Sequence, residues 1–233
     1  MPNPQTFRER YGEWALVAGA AQGLGYAFAE ALSNRQMNVI LLDREADLLA
    51  HSLEKLQQQF PHLQYKAIHL DLSQPFPTNF LETFAALPIG LLVYNAAFAP
   101  LGKFAQQTLE THQQVLQTNC MSAVALIQQL LPSFQQQKRG GIVLISSLIG
   151  LQGSAFLANY AASKAYLRVL GQGLWAELQP DGIDVLVSSP GAVATPSFLQ
   201  QHPQHRFPKP LQPAWVAEKT LQQLGKRPFF IPG

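Results

Sequence analysis

Cysteine and charge are both scarce in this sequence of 233 residues. Its single cysteine, Cys120, cannot form an intramolecular disulfide or a cysteine-based zinc site. Charged residues make up 13% of the chain, and the 16 Lys and Arg against 14 Asp and Glu form no basic run. Because nucleic-acid surfaces and polybasic anchors need clustered cations, we expect neither a nucleic-acid partner nor an electrostatic membrane anchor.

The sequence also shows no signal-peptide pattern and no apolar segment of membrane-spanning length. Residues Met1 to Arg10 are polar with early charge, unlike a secretory signal. Together with the single cysteine, this predicts a cytoplasmic protein. The uncharged stretch from Gly140 to Ser163 contains four glycines and several polar side chains. It therefore falls short of the roughly 20 mostly apolar residues of a spanning helix, and we expect no membrane association.

Short apolar runs alternate with longer segments of helical period along the whole chain. This alternation predicts one doubly wound α/β domain of the Rossmann type over residues 1–233, with a seven-stranded, mainly parallel sheet and helices on both faces. The predicted strands are Trp14–Ala18, Asn38–Leu42, Tyr65–Leu70, Gly90–Tyr94, Ile142–Ser146, Asp184–Ser188 and Phe229–Ile231. The predicted helices are Leu24–Arg35, Ala46–Phe60, Asn79–Ala86, Leu109–Gln137, Asn159–Leu178 and Ala214–Leu224. Five prolines after Thr195 predict a loop with at most a short helix over 195–213.

A glycine-rich turn follows the first predicted strand. Gly19, Gly23 and Gly25 have the spacing G-x-x-x-G-x-G at the start of the next helix. Glycine lets the backbone approach a ligand, and the free N–H groups at the helix N-terminus can receive a pyrophosphate. The spacing differs from the general G-x-G-x-x-G fingerprint. Tight packing of strand against helix, without any ligand, is the alternative.

An acidic residue at the end of the second strand supports a dinucleotide. Asp43 follows the last glycine by 18 residues, close to the roughly 20 expected for an acid that binds the adenosine ribose. A carboxylate there slightly favours NAD, since it would repel a 2′-phosphate. The neighbouring Arg44 could receive that phosphate and leaves NADP open. The alternative role for Asp43, as N-cap of the following helix, is compatible with binding of either cofactor.

Ser147, Tyr160 and Lys164 form the strongest candidate catalytic set. Tyr160 and Lys164 are four residues apart in a predicted helix, so they share one face. A phenol with a pKa near 10 is a poor base at neutral pH, and a nearby ammonium favours its phenolate. Ser147 ends a strand at the carboxyl edge of the sheet, where it can hydrogen-bond a carbonyl or alcohol oxygen. A Y-x-x-x-K pair by itself also occurs by chance on exposed helices.

From Tyr11 to Pro196 the sequence resembles the short-chain dehydrogenases/reductases, in the ketoreductase-like branch. The family's G-x-x-x-G-x-G turn matches Gly19, Gly23 and Gly25, its adenine-contacting acid matches Asp71 in Leu70-Asp71-Leu72, and its N-A-G motif matches Asn95-Ala96-Ala97. Its active-site asparagine, serine and Y-x-x-x-K pair match Asn119, Ser147, and Tyr160 with Lys164. Its P-G-x-V-x-T motif matches Pro190-Gly191-Ala192-Val193-Ala194-Thr195. Two positions depart from the pattern: Ala18 replaces the usual Thr, and Ala97 replaces the usual Gly. Both departures are expected to weaken cofactor affinity.

The resemblance implies roles for these residues. NAD(P) would be bound by Gly19, Gln22, Gly23, Leu24, Gly25, Asp43, Arg44, Asp71, Leu72, Asn95, Ala96, Ala97, Tyr160, Lys164, Pro190, Gly191, Val193 and Thr195. Tyr160 would act as general acid or base on a carbonyl or alcohol substrate, assisted by Lys164 and Ser147. Asn119 would hold a water that links Lys164 to solvent, or would simply be a buried polar group satisfied by backbone.

The substrate and partner predictions follow from the same resemblance. The apolar residues Phe98, Leu148, Phe156 and Leu157, together with Val193 and the loop over 195–213, would form a pocket for a hydrophobic ketone or secondary alcohol. No metal is expected, because His202 and His205 have H-x-x-H spacing in a proline-rich loop without a nearby carboxylate. A homodimer or homotetramer would pair the two long helices, with Ala161, Ala165, Val169 and Leu170 at the interface or facing the sheet. The alternatives are a non-catalytic dinucleotide sensor and a different reaction, such as epimerisation, dehydration or enoyl reduction, on the same scaffold.

Overall fold

A parallel sheet forms the centre of the computed structural model, which describes residues 4–77, 79–80, 82, 87–201 and 209–233. The strands are β1 Trp14–Ala18, β2 Asn38–Asp43, β3 Tyr65–His69, β4 Ile89–Tyr94, β5 Gly140–Ile145, β6 Ile183–Ser188 and β7 Phe229–Phe230. The helices are α1 Pro4–Tyr11, α2 Gly23–Ser33, α3 Ala46–Gln59, α4 Leu109–Leu116, α5 Ser122–Gln137, α6 Ala158–Leu178, α7 Pro196–Gln201 and α8 Pro213–Leu221.

The strand order creates a crevice at one edge of the sheet. The strands lie in the order β3-β2-β1-β4-β5-β6-β7, and each neighbouring pair is parallel. The winding direction reverses between β1 and β4, so the loops that leave these two strands diverge to opposite faces. Open α/β sheets bind their ligands in the crevice outside the carboxyl ends at such a reversal.

The central strands are apolar because both faces of the sheet are covered. All residues of β1, β4 and β5 are buried, as expected of parallel strands between two layers of helices. Side chains alternate between two cores: Ala15 and Val17 join the cluster that includes α2, α3 and α8, whereas Leu16 and Ala18 join the cluster that includes α5 and α6. The predicted fold class is confirmed, and each predicted strand lies within two residues of an observed one.

Two helical segments differ from what the sequence predicted, and a further predicted helix is not tested. The helix α1 was not predicted, because its eight residues offer only Phe7 and Tyr11 as an apolar pair one turn apart. The single helix predicted over Leu109–Gln137 is interrupted at Gln117–Met121 by a stretch of π-helix, which a 3.6-residue periodicity does not reveal. The helix predicted over Asn79–Ala86 falls largely outside the described residues, as do all of residues 202–208 in the predicted loop.

Within the described ranges, no helix combines the length and the apolar character that crossing a membrane requires.

Candidate active site

A cleft of about 960 Å³ opens at the carboxyl ends of the strands. Its lining residues come from the loops that follow β1, β2, β3, β4, β5 and β6 and from α6, so distant segments of the chain meet there. Gly25 is the predicted cofactor residue that does not line it. The predicted residues that do are Gly19, Gln22, Gly23, Leu24, Asp43, Arg44, Asp71, Leu72, Asn95, Ala96, Ala97, Ser147, Tyr160, Lys164, Pro190, Gly191, Val193 and Thr195.

The glycines of the turn between β1 and α2 are required by backbone conformation and packing. Gly19 has φ +78° and Gly23 has φ +59°, in the left-handed region that favours glycine. A Cβ atom on Gly25 would lie 1.7 Å from the Gly19 carbonyl oxygen, so a larger residue does not fit. Gly25 therefore contributes by letting α2 begin directly against the turn. The first N–H groups of α2 lack helical acceptors and are available to a phosphate.

Backbone and side-chain hydrogen bonds hold this turn to both neighbouring strands. The N–H groups of Gly19 and Ala20 donate to the Leu42 carbonyl at 2.8 and 3.2 Å. On the other side, the Asn95 side-chain amide donates to the Gly19 carbonyl at 2.9 Å. The turn is thus tied to β2 and to the end of β4 without a hydroxyl at position 18.

The carboxylate of Asp43 lies at the end of β2, beside the turn. One oxygen accepts from the Ala21 N–H at 2.9 Å and the other from the Glu45 N–H at 3.2 Å. Each oxygen keeps a further lone pair for a ligand hydroxyl. The exposed Arg44 guanidinium pairs with the Glu45 carboxylate at 3.2 Å. Asp71, which follows β3, accepts from the N–H and the hydroxyl of Ser73, both at 2.9 Å.

Ser147, Tyr160 and Lys164 meet on the wall of the cleft. Ser147 follows β5, whereas Tyr160 and Lys164 lie one turn apart on α6. The Lys164 ammonium is buried and donates to the Ile145 carbonyl at 2.8 Å. Its Nζ lies 5.6 Å from the centre of the Tyr160 ring. The structure therefore brings the predicted set together around one point of the cleft.

Burial dominates the acid–base properties of this set. It raises the pKa of the Tyr160 phenol to about 12, while the Ser147 hydroxyl lowers it through a hydrogen bond. Burial also lowers the pKa of Lys164 to about 8, with an opposing contribution from nearby Cys120. At neutral pH the phenol is therefore protonated and the lysine is mostly charged, a state in which Tyr160 can donate a proton.

The Asn119 side chain is held away from the cleft. It lies in the π-helical stretch, is fully buried, and accepts from the Phe98 N–H at 2.7 Å. Its amide donates to the Phe98 carbonyl at 3.1 Å and to the Ser163 hydroxyl at 2.8 Å. With both amide hydrogens used, this geometry favours the interpretation of a satisfied buried polar group over a side chain that holds a water beside Lys164.

The predicted substrate residues divide between the cleft and its outer surface. Phe98, Leu148 and Leu157 line the cleft. Phe156 does not: its side chain is 53% exposed, its φ is +65°, and its carbonyl accepts from the Gly102 N–H at 3.0 Å. The left-handed turn at Phe156 leaves the ring on the surface, which an apolar residue in a sequence cannot indicate.

Three polar residues near the site were not predicted from the sequence. The Ser146 hydroxyl donates to the Lys164 carbonyl at 2.7 Å and so ties α6 to the end of β5, whereas the Ser163 hydroxyl donates to the Tyr160 carbonyl at 2.7 Å within α6 itself. Thr118 lines the cleft from the π-helical stretch. Ser146 and Ser163 are adjacent to predicted residues, and that adjacency was the signal available in the sequence.

Metal ligands are not grouped in the part of the chain that the structure describes. No cluster of three His, Cys, Asp or Glu side chains there could hold an ion. His202 and His205 lie outside the described residues.

The fold and the cleft define the class of dinucleotide-binding α/β oxidoreductases. A doubly wound parallel sheet, a glycine-rich turn at a helix N-terminus and an acid after β2 are the parts that a dinucleotide needs. The Ser147, Tyr160 and Lys164 set beside them supplies proton-transfer groups.

Comparison with known proteins agrees with this class. The family model described as short chain dehydrogenase matches residues 13–205. A 7β-hydroxysteroid dehydrogenase of Mediterraneibacter gnavus is 30% identical, over 98% of this chain and 89% of that protein. A solved 7β-hydroxysteroid dehydrogenase structure, studied for stereoselectivity, has a TM-score of 0.88 and 29% identity over 97% of this chain and 89% of its own. A short-chain dehydrogenase from Sphingobium yanoikuyae in complex with NADPH has a TM-score of 0.84 and 27% identity, covering 94% and 86%.

The chain belongs to the short-chain dehydrogenase family, since the family model matches most of its length. It is accordingly an NAD(P)-dependent oxidoreductase that acts on alcohol and carbonyl groups.

Proposed function

We propose that the protein interconverts a bulky hydrophobic ketone and its secondary alcohol, with Tyr160 as the general acid or base. The observation that carries the proposal is the meeting of Ser147, Tyr160 and Lys164 on the wall of the cleft that the glycine-rich turn also lines. Ketone-dependent oxidation of NADH or NADPH by the purified protein tests it. Binding of cofactor without turnover of any ketone would instead favour the non-catalytic sensor.

The protein's own residues supply orientation and proton transfer. When bound, the nicotinamide supplies or accepts the hydride. In reduction, the Tyr160 hydroxyl donates its proton to the carbonyl oxygen, and in alcohol oxidation its phenolate accepts that proton. Ser147 holds the same oxygen by a hydrogen bond and thereby orients the carbonyl carbon. The Lys164 charge favours the phenolate that forms when Tyr160 gives up its proton.

The proposed substrate class follows from the apolar part of the cleft and its rim. Phe98, Leu148 and Leu157 line the cleft, and Leu101 joins them with 57% of its surface exposed. A large apolar ligand would cover these side chains and gain from removing them from water. The relative named as a 7β-hydroxysteroid dehydrogenase supports a ketone of steroid-like size.

We also infer a preference for NAD over NADP. The Asp43 carboxylate lines the cleft and retains lone pairs for ribose hydroxyls, whereas its charge would repel a 2′-phosphate. Pairing with Glu45 offsets the positive charge of Arg44. The structure with NADPH from Sphingobium yanoikuyae shows that a similar fold accommodates the phosphate in that protein.

The Asp43→Asn substitution separates the charge of this residue from its contact with the turn. Asparagine keeps an acceptor for the Ala21 N–H but has no charge, so we expect the ratio of NADPH to NADH affinity to rise about tenfold. Titration by nicotinamide fluorescence measures both dissociation constants. Asp47→Ala, at an exposed position of α3 outside the cleft, is the control. An unchanged ratio in Asp43→Asn would remove Asp43 as the determinant.

The rate of ketone reduction should depend on pH through Lys164. Reduction needs the protonated phenol, which persists up to about pH 12, and the charged lysine, which is lost above about pH 8. We therefore expect kcat/KM for reduction to be flat from roughly pH 6 to 7.5, where both groups are protonated, and to fall as the pH rises through about 8. Alcohol oxidation, which needs the phenolate, should rise with pH up to about 8 and level off above it, where loss of the lysine charge offsets further formation of phenolate. A reduction profile that rises with pH would contradict the assigned protonation states.

Self-association and location complete the proposal. Ala161 is buried, Ala165 and Leu170 are half-buried and Val169 is 59% exposed, so Val169 is the member of the predicted interface set that is most available to a partner. Exposed Leu116 and Met121 extend the apolar surface of the neighbouring helical segment. We infer a homodimer or homotetramer that forms through these helices. We also infer a cytoplasmic location, since a single buried cysteine that forms no disulfide is typical of a reducing compartment.

A further inference from the structure

Ser52 is a polar residue in the apolar stripe of α3. The buried residues of this helix are Leu49, Ser52 and Leu56, and a hydroxyl between two leucines costs free energy unless it is hydrogen-bonded. Its Oγ donates to the Ala21 carbonyl at 2.7 Å, across 31 residues of sequence. The acceptor belongs to the glycine-rich turn, so α3 contacts the turn through this bond.

The bond fixes the direction of the next N–H group. The Ala21 carbonyl and the Gln22 N–H belong to one planar peptide and, in the trans form, point in opposite directions. Because the carbonyl is directed to buried Ser52, the Gln22 N–H is directed away from α3. Gln22 lines the cleft, and within the described chain its N–H has no hydrogen-bond partner.

Asp43 holds the preceding peptide in the same way. Its carboxylate accepts from the Ala21 N–H at 2.9 Å, and Ala21 itself is 3% exposed. Two successive peptides of the turn are therefore held by side chains, one from the end of β2 and one from α3. Free N–H groups bind an anion well only when they are held in place before the anion arrives.

We propose that Ser52 is a positioning residue for the cofactor, which orients the Gln22 N–H toward the pyrophosphate without touching it. This inference rests on the proposed function, since it needs a dinucleotide in the cleft. The pyrophosphate is common to NADH and NADPH, so loss of the bond weakens both equally. The role differs from that of Asp43, whose charge selects between them.

The test is fluorescence titration of the wild type and Ser52→Ala with NADH and with NADPH. We expect Ser52→Ala to raise both dissociation constants about tenfold and to leave their ratio unchanged, since one oriented donor is lost. At saturating cofactor, kcat should stay within about twofold of wild type, because no group at the reacting carbon changes. Ser52→Cys has a weaker donor of similar size, so its two dissociation constants should lie between those of the wild type and Ser52→Ala. If the alanine variant does not fold, the cysteine variant tests the proposal in its place.

A matched control separates orientation from general destabilisation. Ser33 is buried like Ser52, donates to the Ala29 carbonyl at 2.9 Å and does not line the cleft. Ser33→Ala should lower the unfolding midpoint while the dissociation constants stay as in the wild type. The inference is overturned if Ser52→Ala binds like the wild type, or if Ser33→Ala weakens binding to the same degree. A wild-type protein that binds neither nucleotide overturns the proposed function and this inference with it.

Discussion

Replacement of Tyr160 by Phe is expected to lower kcat for ketone reduction by about 10²–10⁴-fold, the usual contribution of a positioned general acid. Phenylalanine keeps the ring and its packing on α6 but has no proton to give to the carbonyl oxygen. Cofactor dissociation constants should stay within about threefold, because the turn and the end of β2 are unchanged. Steady-state kinetics together with fluorescence titration measure the two quantities separately.

Tyr166 provides the control for that substitution. It lies on the same helix, two turns at most from Tyr160, and 43% of its surface is exposed outside the cleft. Tyr166→Phe should leave kcat and binding as in the wild type. If Tyr160→Phe also retained full activity, the proton would have to come from another group, and the assignment of Tyr160 would be wrong.

Lys164→Met should abolish most activity and at the same time stabilise the fold. Lys164 is 2% exposed, and its ammonium has one hydrogen bond in the described chain, to the Ile145 carbonyl. Burial lowers its pKa from 10.5 to about 8. In the folded state the charged form is thus disfavoured by about 3 kcal/mol, at about 1.4 kcal/mol per unit. Methionine fills a similar volume without a charge.

The direction of the pH dependence follows from the same shift. Between about pH 8 and 10.5 the unfolded chain binds the Lys164 proton more tightly than the native protein does, so the free energy of unfolding of the wild type rises with pH there. At pH 7 we expect Lys164→Met to gain about 2 kcal/mol after loss of the hydrogen bond, or an increase in Tm of about 4–8 °C.

Calorimetry and ketone-reduction kinetics on the same samples test this combination. The control is Lys55→Met, at an exposed position of α3, which should change Tm by no more than about 1–2 °C and leave kcat unaltered. A less stable Lys164→Met would show that the buried ammonium stabilises the fold. An active one would show that proton transfer does not need its charge.

The strands and the outline of the site could be predicted because their signals are local. An apolar run such as Val39 to Leu42 identifies a buried parallel strand, and the end of each strand then places the following residue at the ligand edge. Gly25 could be identified by type, because the turn leaves no room for a Cβ atom. Each of these inferences depends on neighbours within a few residues.

The remaining features depend on contacts between segments that are distant in sequence. The sequence left Asn119 either as the holder of a water that links Lys164 to solvent or as a satisfied buried polar group, because no spacing reveals that its amide donates to Phe98 and Ser163. Phe156 is as apolar as the true lining residues, and its positive φ places it on the surface. Ser52 resembles any small polar residue of a helix until the fold brings the Ala21 carbonyl to it.

Transfer of deuterium from cofactor to substrate tests the central claim most directly. NADH dideuterated at nicotinamide C4 would be incubated with the purified protein and a steroid-sized ketone, and the alcohol analysed by mass spectrometry. We predict an alcohol that carries deuterium on the former carbonyl carbon, formed at least about 10²-fold more slowly by Tyr160→Phe. A wild-type protein that binds the cofactor and yields no labelled alcohol from a broad ketone panel would contradict the account.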